Sequence, residues 1–219
     1  GLEDATKKSL WAASEAIILD TDVVVPVIPH LLGGDDLLVS VPADRAWPFI
    51  RTLLATAEQT FTRVDAGLSL SLGVVICQSA FPFGDQVELA EAALKVAKAH
   101  VGGHGFSLQW VDVTESGPFL PDRAPWTLTE LANRAPALDH MLASGNTAFS
   151  SLRAALADAE FAPLLTWNLA RRHKSIGELL RLLKIDQSSP PTTQSGLDLL
   201  AAMLSMARWW RNPSKEAVS

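Results

Sequence analysis

The chain has 219 residues, of which 48% are hydrophobic and 19% charged, and its formal net charge is −6. These values exclude a disordered chain, and the acidic balance argues against a general nucleic-acid surface while leaving room for a local nucleotide site. Cys77 is the single cysteine, which excludes an internal disulfide, and no stretch approaches the roughly 18 apolar residues of a membrane span. We therefore expect a cytoplasmic protein of one large or two small domains, with no membrane and no disulfide partner.

The first predicted element is a helix over residues 4–19, where apolar residues recur at three- and four-residue spacing. Asp20 and Asp22 follow it. A D-x-D pair before a valine run can be a metal site, but such a pair more often ends a helix and solvates a loop. Prolines interrupt the next apolar run, which places a strand at residues 27–32.

Four residues of turn chemistry, Gly33-Gly34-Asp35-Asp36, separate this strand from an apolar run at residues 37–41. They predict a tight hairpin, because glycine tolerates the positive φ that such a turn needs. Mg²⁺ prefers carboxylate oxygens and usually takes one or two of them together with substrate phosphates. We therefore interpret Asp35 and Asp36 as a preorganised site for a hard cation, with an ordinary Asp-rich turn as the alternative. His30, which precedes the motif, is interpreted as an edge histidine, with nucleotide contact as its alternative.

The rest of the first half alternates between helices and strands. The pattern predicts helices over residues 44–62 and 85–98 and strands over residues 68–76 and 106–113. With the hairpin, the order is α, β-hairpin, α, β, α, β. This order predicts an α+β palm, in which an antiparallel sheet carries helices on one face.

The character of the sequence changes from Glu115 onward. Several prolines predict a linker, and nearly everything beyond it has helical periodicity. The predicted helices cover residues 128–133, 135–142 (with residue 137 as the alternative start), 147–158, 161–173, 175–183 and 196–210. We therefore divide the chain into a palm domain, residues 1–117, and an α-helical C-terminal region, residues 118–219.

Four segments together carry a resemblance to a known family. They are Pro29-His30-Leu31-Leu32-Gly33-Gly34-Asp35-Asp36-Leu37-Leu38-Val39, residues 68–75, the loop Phe81-Pro82-Phe83 and residues 89–98. In this order and spacing, residues 5–117 resemble the second palm domain of the large, polymerase-like subunit of type III CRISPR effector complexes, or a stand-alone relative of it. The resemblance implies a ferredoxin-like palm related to nucleotide cyclases of the GGDEF type.

The resemblance also implies an activity, the conversion of ATP to cyclic oligoadenylate, a second messenger of antiviral defence, by a metal-dependent nucleotidyltransferase. It assigns Asp35 and Asp36 to catalysis and to binding of Mg²⁺ or Mn²⁺, Gly33 and Gly34 to close approach of the backbone to the nucleotide, Ser71 to the base or ribose, and Lys98 to the triphosphate. Carboxylates on a hairpin and a lysine on a helix are also the parts that nucleotidyl transfer requires. The implied partners are ATP and either a second palm domain, as in a homodimer, or CRISPR effector subunits with guide RNA.

One feature departs from the family. Its palm begins with a strand that carries a further metal-binding aspartate, whereas this sequence begins at or just before the helix that follows that strand. We therefore expect an incomplete metal site and a sheet without one of its central strands. Two other functions stay open: a catalytically silent palm that binds nucleotide or a protein partner, and a GGDEF-like cyclase that uses GTP. Asp36, where such cyclases have glutamate, favours the adenylate-making branch.

Overall fold

The computed structural model describes residues 1–33, 36–65, 67–158, 160–190 and 194–210. These residues form two compact units, Gly1–Leu128 and Thr129–Trp210. The first unit holds the predicted palm, and the second holds most of the predicted helical region. The boundary at residue 117 stays a prediction, since compactness alone does not define the palm.

The first unit contains the alternating helices and strands that the sequence predicts. Its helices are α1 (Leu2–Glu15), α2 (Ala46–Val64), α3 (Phe83–His100) and α4 (Val113–Ser116), and its strands are β1 (Ile28–Gly33), β2 (Asp36–Ser40), β3 (Leu70–Ile76), β4 (Phe106–Asp112) and β5 (Trp126–Thr127). A 3-10 turn at Ala43–Arg45 leads into α2. The short elements α4 and β5 were not predicted, because neither is long enough to show a period.

The described strands form two small sheets of mixed direction. Strands β1 and β2 pair antiparallel, β3 and β4 pair parallel, and β5 is antiparallel to β4. The predicted α+β class is confirmed, but the sheet is not antiparallel throughout. Helix α3 carries the chain back from the end of β3 to the start of β4, and a helical crossover of this kind joins parallel strands.

Strands β3 and β4 carry helices on both faces, whereas the sequence predicted helices on one face. Gly73 faces α3 so closely that an added Cβ atom would lie 1.9 Å from the carbonyl oxygen of Ala90. Leu70 and its register partner Phe106 lie on the opposite face. There they pack against the buried cluster that contains Phe61 of α2.

Three tryptophans join α2 to β4 and β5. The ring of Trp110 lies 5.8 Å from that of Trp47 and 4.9 Å from that of Trp126, in edge-to-face geometry. The guanidinium of Arg123 covers the Trp110 ring at 3.9 Å and donates a hydrogen bond to the Trp110 carbonyl at 2.6 Å. Burial lowers the pKa of Arg123 to about 10, because the charged form loses its hydration.

The second unit is helical, as predicted, with α5 (Leu128–Ser144) leading into it. The helices that follow are α6 (Asn146–Leu156), α7 (Ala162–Arg172), α8 (Lys174–Leu182) and α9 (Gln194–Ala207). Helix α5 runs through Pro136, where the sequence predicted two separate helices. Leu131 and Leu138 are buried on either side of the proline, and their packing offsets the lost backbone hydrogen bond. Trp210 is also buried, and its indole N–H donates to Asp139 at 2.8 Å.

In the part of the chain that the structure describes, no helix is both long enough and apolar enough to cross a membrane.

Asp22 ties the loop after α1 to the start of α2. Its carboxylate accepts hydrogen bonds from both terminal nitrogens of Arg45, one of them at 3.0 Å, and from the Leu19 amide at 2.8 Å. Arg45 also donates to the Ile17 carbonyl at 3.1 Å. The hydrogen bond from Arg45 is the main reason that the pKa of Asp22 lies below its ordinary value. These contacts favour the loop interpretation of this aspartate over the metal site.

Replacing Gly73 by alanine is expected to destabilise the protein, because the new methyl group would overlap backbone atoms of α3. Overpacking a core costs about 1–3 kcal/mol of the free energy of unfolding. We expect a loss at the upper end of this range, because backbone atoms cannot relieve the overlap by changing rotamer as a side chain can. Urea unfolding measures the loss. The matched control is Gly84→Ala, where an added Cβ meets nothing within 4 Å. An unchanged urea midpoint for Gly73→Ala would contradict the close packing.

The Asp22→Asn variant is expected to melt at a lower temperature than the wild type at pH 7, because Arg45 loses its charged partner. Since the folded-state pKa of Asp22 is depressed, its stabilisation is fully present above the ordinary value of 3.8 and is lost as the pH falls through the lower folded value. Thermal melts from pH 7 into the acid range should therefore converge. Asp20→Asn, at an exposed neighbouring carboxylate, is the control. A wild-type advantage that stays constant into strong acid would contradict the ion pair.

Candidate functional site

The predicted hairpin is formed by β1 and β2. Leu32 pairs with Leu37, and Gly33 pairs with Asp36, so the two strands converge on the turn that the glycines and aspartates predict. Gly34 and Asp35 lie outside the described residues. Gly33 and Asp36 are therefore the last described residues on either side of the tip.

Both of these flanking residues are open to solvent. Asp36 is the first residue of β2 and is exposed, as is Gly33 at the end of β1. A Cβ atom added to Gly33 would meet nothing within 4 Å. A ligand can therefore approach the backbone on one side of the tip and a carboxylate on the other.

Ser71, predicted to lie near the base or ribose, is hydrogen-bonded inside the first unit. Its hydroxyl shares a hydrogen bond of 3.0 Å with the hydroxyl of Ser107, which donates at 2.9 Å to the Ala97 carbonyl of α3. Ser71 thus lies on the face of β3 that meets α3. No hydrogen bond joins it to the described residues of the hairpin.

Lys98, predicted to bind the triphosphate, lies in the last turn of α3 and is exposed. Its carbonyl accepts a hydrogen bond from the Gly103 amide at 3.3 Å, where the helix gives way to a glycine-rich turn. Among the residues that the structure describes, its ammonium group has no ion-pair partner. The lysine lies near the C-terminal end of α3, where the helix dipole favours a cation.

The sequence did not predict which side chains His30 contacts. Its imidazole shares a hydrogen bond with Ser40 of β2 and lies against the ring of Phe83, the first residue of α3. The only local signals were its position before the motif and the prolines around it, and neither indicates which distant side chain it meets.

The donor groups at the tip fit a hard divalent cation in chemical type. Asp36 is an exposed carboxylate, and Asp35 stands beside it in the sequence. Within the described ranges, no three His, Cys, Asp or Glu side chains come together as a metal-binding group. Mg²⁺ is often held by only one or two carboxylates together with substrate phosphates, so a pair of aspartates suits such an arrangement.

A known protein family matches the part of the chain that contains the candidate residues. The model of the Cas10/Cmr2 second palm domain matches residues 19–104. No curated protein matches the chain. The matched segment covers the hairpin, α2, β3 and α3, which are the elements that hold all the candidate residues. The resemblance inferred from the motifs is confirmed: residues 19–104 are similar to the second palm domain of Cas10/Cmr2, which has a nucleotide-cyclase-like fold and is related to type III CRISPR systems.

Proposed function

We propose that this chain carries the palm of a metal-dependent nucleotidyltransferase, which makes cyclic oligoadenylate or a related cyclic nucleotide from ATP in antiviral defence of the CRISPR type. The observation that carries the proposal is the match of residues 19–104 to the Cas10/Cmr2 second palm domain, together with the Gly-Gly-Asp-Asp sequence at its hairpin. A palm fold alone does not fix an activity. Asp35 and Asp36, which are adjacent in the sequence, are the type of donor that nucleotidyl transfer needs.

In this proposal Asp35 and Asp36 hold Mg²⁺ or Mn²⁺ at the hairpin tip. A metal held there would supply the chemistry of the step, namely a lower pKa for an attacking 3′-hydroxyl and charge balance for the leaving pyrophosphate. The resemblance assigns Gly33 and Gly34 to close approach of the backbone to the nucleotide, which agrees with the open space around Gly33.

Lys98 and Ser71 complete the proposed nucleotide site. The exposed ammonium of Lys98 attracts the triphosphate, and an ammonium binds phosphate as a point charge. Because the Ser107 hydroxyl donates to the Ala97 carbonyl, Ser71 donates its own proton to Ser107, and its oxygen can still accept a hydrogen bond from a base or ribose. We assign the larger share of nucleotide binding to Lys98, because its side chain is exposed whereas Ser71 is partly buried.

The competing function is a catalytically silent palm that binds nucleotide or a protein partner. It stays open because the same palm fold can bind a ligand without catalysing a reaction. Both functions admit the same partners, namely a second palm domain or CRISPR effector subunits with guide RNA. They differ in turnover, which an assay can measure.

The first test is incubation with radiolabelled ATP or GTP and Mg²⁺ or Mn²⁺. We expect pyrophosphate and a cyclic adenylate product. The variant Asp35→Ala/Asp36→Ala should lose this activity about 100-fold or more, the scale for removing a group that stabilises developing charge. The matched control is Glu58→Ala/Glu91→Ala, which removes two exposed helical carboxylates and should retain activity.

Product from GTP alone would favour the GGDEF-like cyclase. A folded wild-type chain that releases no pyrophosphate from either nucleotide, alone or with its effector subunits, would contradict the enzyme and leave the silent palm.

The Lys98→Ala variant is expected to raise the KM for ATP about tenfold, because a charge-assisted hydrogen bond contributes about 1.5–3 kcal/mol. Its melting temperature should not change, since the side chain is exposed. Steady-state kinetics with Lys95→Ala, one turn earlier on α3 and also exposed, provide the control. Equal KM values for the two variants would contradict a specific role for Lys98.

A further inference from the structure

His30 lies at an irregularity in β1. Pro29 pairs with Val39 and Leu31 pairs with Leu38, so the register shifts at the histidine between them. A β-bulge turns a side chain in a direction that the regular pleat would not give it, and bulges are common beside active sites. The bulge therefore gives the imidazole a direction that strand alternation does not predict.

The imidazole connects three elements. Its Nε2 atom lies 2.8 Å from the hydroxyl oxygen of Ser40, the last residue of β2. Its ring centroid lies 4.8 Å from that of Phe83, with the two rings inclined at 50°, a tilted geometry that is favourable for aromatic pairs. One side chain of β1 thus contacts both the partner strand and the first residue of α3.

These contacts matter because the hairpin is otherwise weakly attached. Apart from the pairing of its own strands, its described residues make few contacts with other elements. Ile28 and Leu31 of β1 are more than half exposed, at 61% and 51%. A two-stranded hairpin is marginally stable by itself, so its orientation depends on the few side chains that reach the rest of the unit.

We propose that His30 is a positioning residue for the hairpin tip. Its contact with Phe83 holds the hairpin against the start of α3, and its hydrogen bond to Ser40 fixes the imidazole against β2. The tip begins at Gly33, roughly 10 Å farther along the strand at 3.3 Å per residue, so the orientation set at His30 determines where Gly33 and its partner Asp36 lie. The link to catalysis rests on the proposed function, whereas the anchoring of the hairpin does not.

The anchoring is tested by hydrogen exchange of the backbone amides, measured on the whole chain. His30→Leu removes the hydrogen bond and the aromatic contact, and we expect exchange in β1 and β2 to rise about fivefold, the size for one net hydrogen bond. His30→Gln can still bond to Ser40 and should recover part of the protection. His100→Leu, at an exposed histidine of α3, should leave the hairpin unchanged. Unchanged exchange in His30→Leu, or an equal rise over all elements, would overturn the proposal.

The catalytic part is tested by kinetics with ATP. In an active enzyme, His30→Leu should lower kcat about tenfold with little change in KM, and His30→Gln should restore part of kcat. Loss of hairpin protection with an unaltered kcat would overturn the positioning role. If the wild type does not turn over ATP, the proposed function fails, and hydrogen exchange still decides whether His30 anchors the hairpin.

Discussion

The close approach of Gly73 to the backbone of α3 is the constraint on which the first unit depends. A Cβ atom at this position would lie 1.9 Å from the Ala90 carbonyl oxygen and 2.6 Å from the Leu94 amide nitrogen, so only glycine allows β3 and α3 to pack at this distance. The contact fixes α3 as the crossover between two parallel strands. The opposite face of the same strands is then free to receive α2 through the contact of Trp110 with Trp47.

Helices and strands could be predicted from the sequence where the spacing of their apolar residues matches the face that they bury. Ile50, Leu53 and Leu54 form a helical stripe, and all three are buried in α2. The direction of β4 relative to β3 could not be read in this way, because strand pairing is decided by residues far apart in the sequence. The prediction of two helices around Pro136 was wrong because a proline locally favours a helix end, whereas burial of residues on both sides of it stabilises one continuous helix.

In the candidate site, too, local features could be predicted and long-range contacts could not. Gly-Gly-Asp-Asp carries its own turn chemistry, so the hairpin followed from local residues. The roles of Ser71 and Lys98 came only from the resemblance and remain predictions. Alternation along β3 places Ser71 on one face, but it does not show that α3 covers that face, which depends on the packing at Gly73. The shared hydrogen bond of Ser71 with Ser107 was therefore beyond a reading of the sequence.

The positions of His30 and Lys98 set a geometric condition on any shared nucleotide site. His30 contacts Phe83 at the start of α3, and Lys98 lies in its last turn. At 1.5 Å per residue these ends of the helix are separated by about 22 Å, and the strand from His30 to Gly33 covers about 10 Å. The remaining gap of about 12 Å is within the combined reach of a lysine side chain and a triphosphate only if the hairpin runs along α3 toward Lys98. A hairpin that points the other way would separate the proposed metal site from the lysine, so the assignment of Lys98 to the triphosphate depends on the orientation that His30 sets.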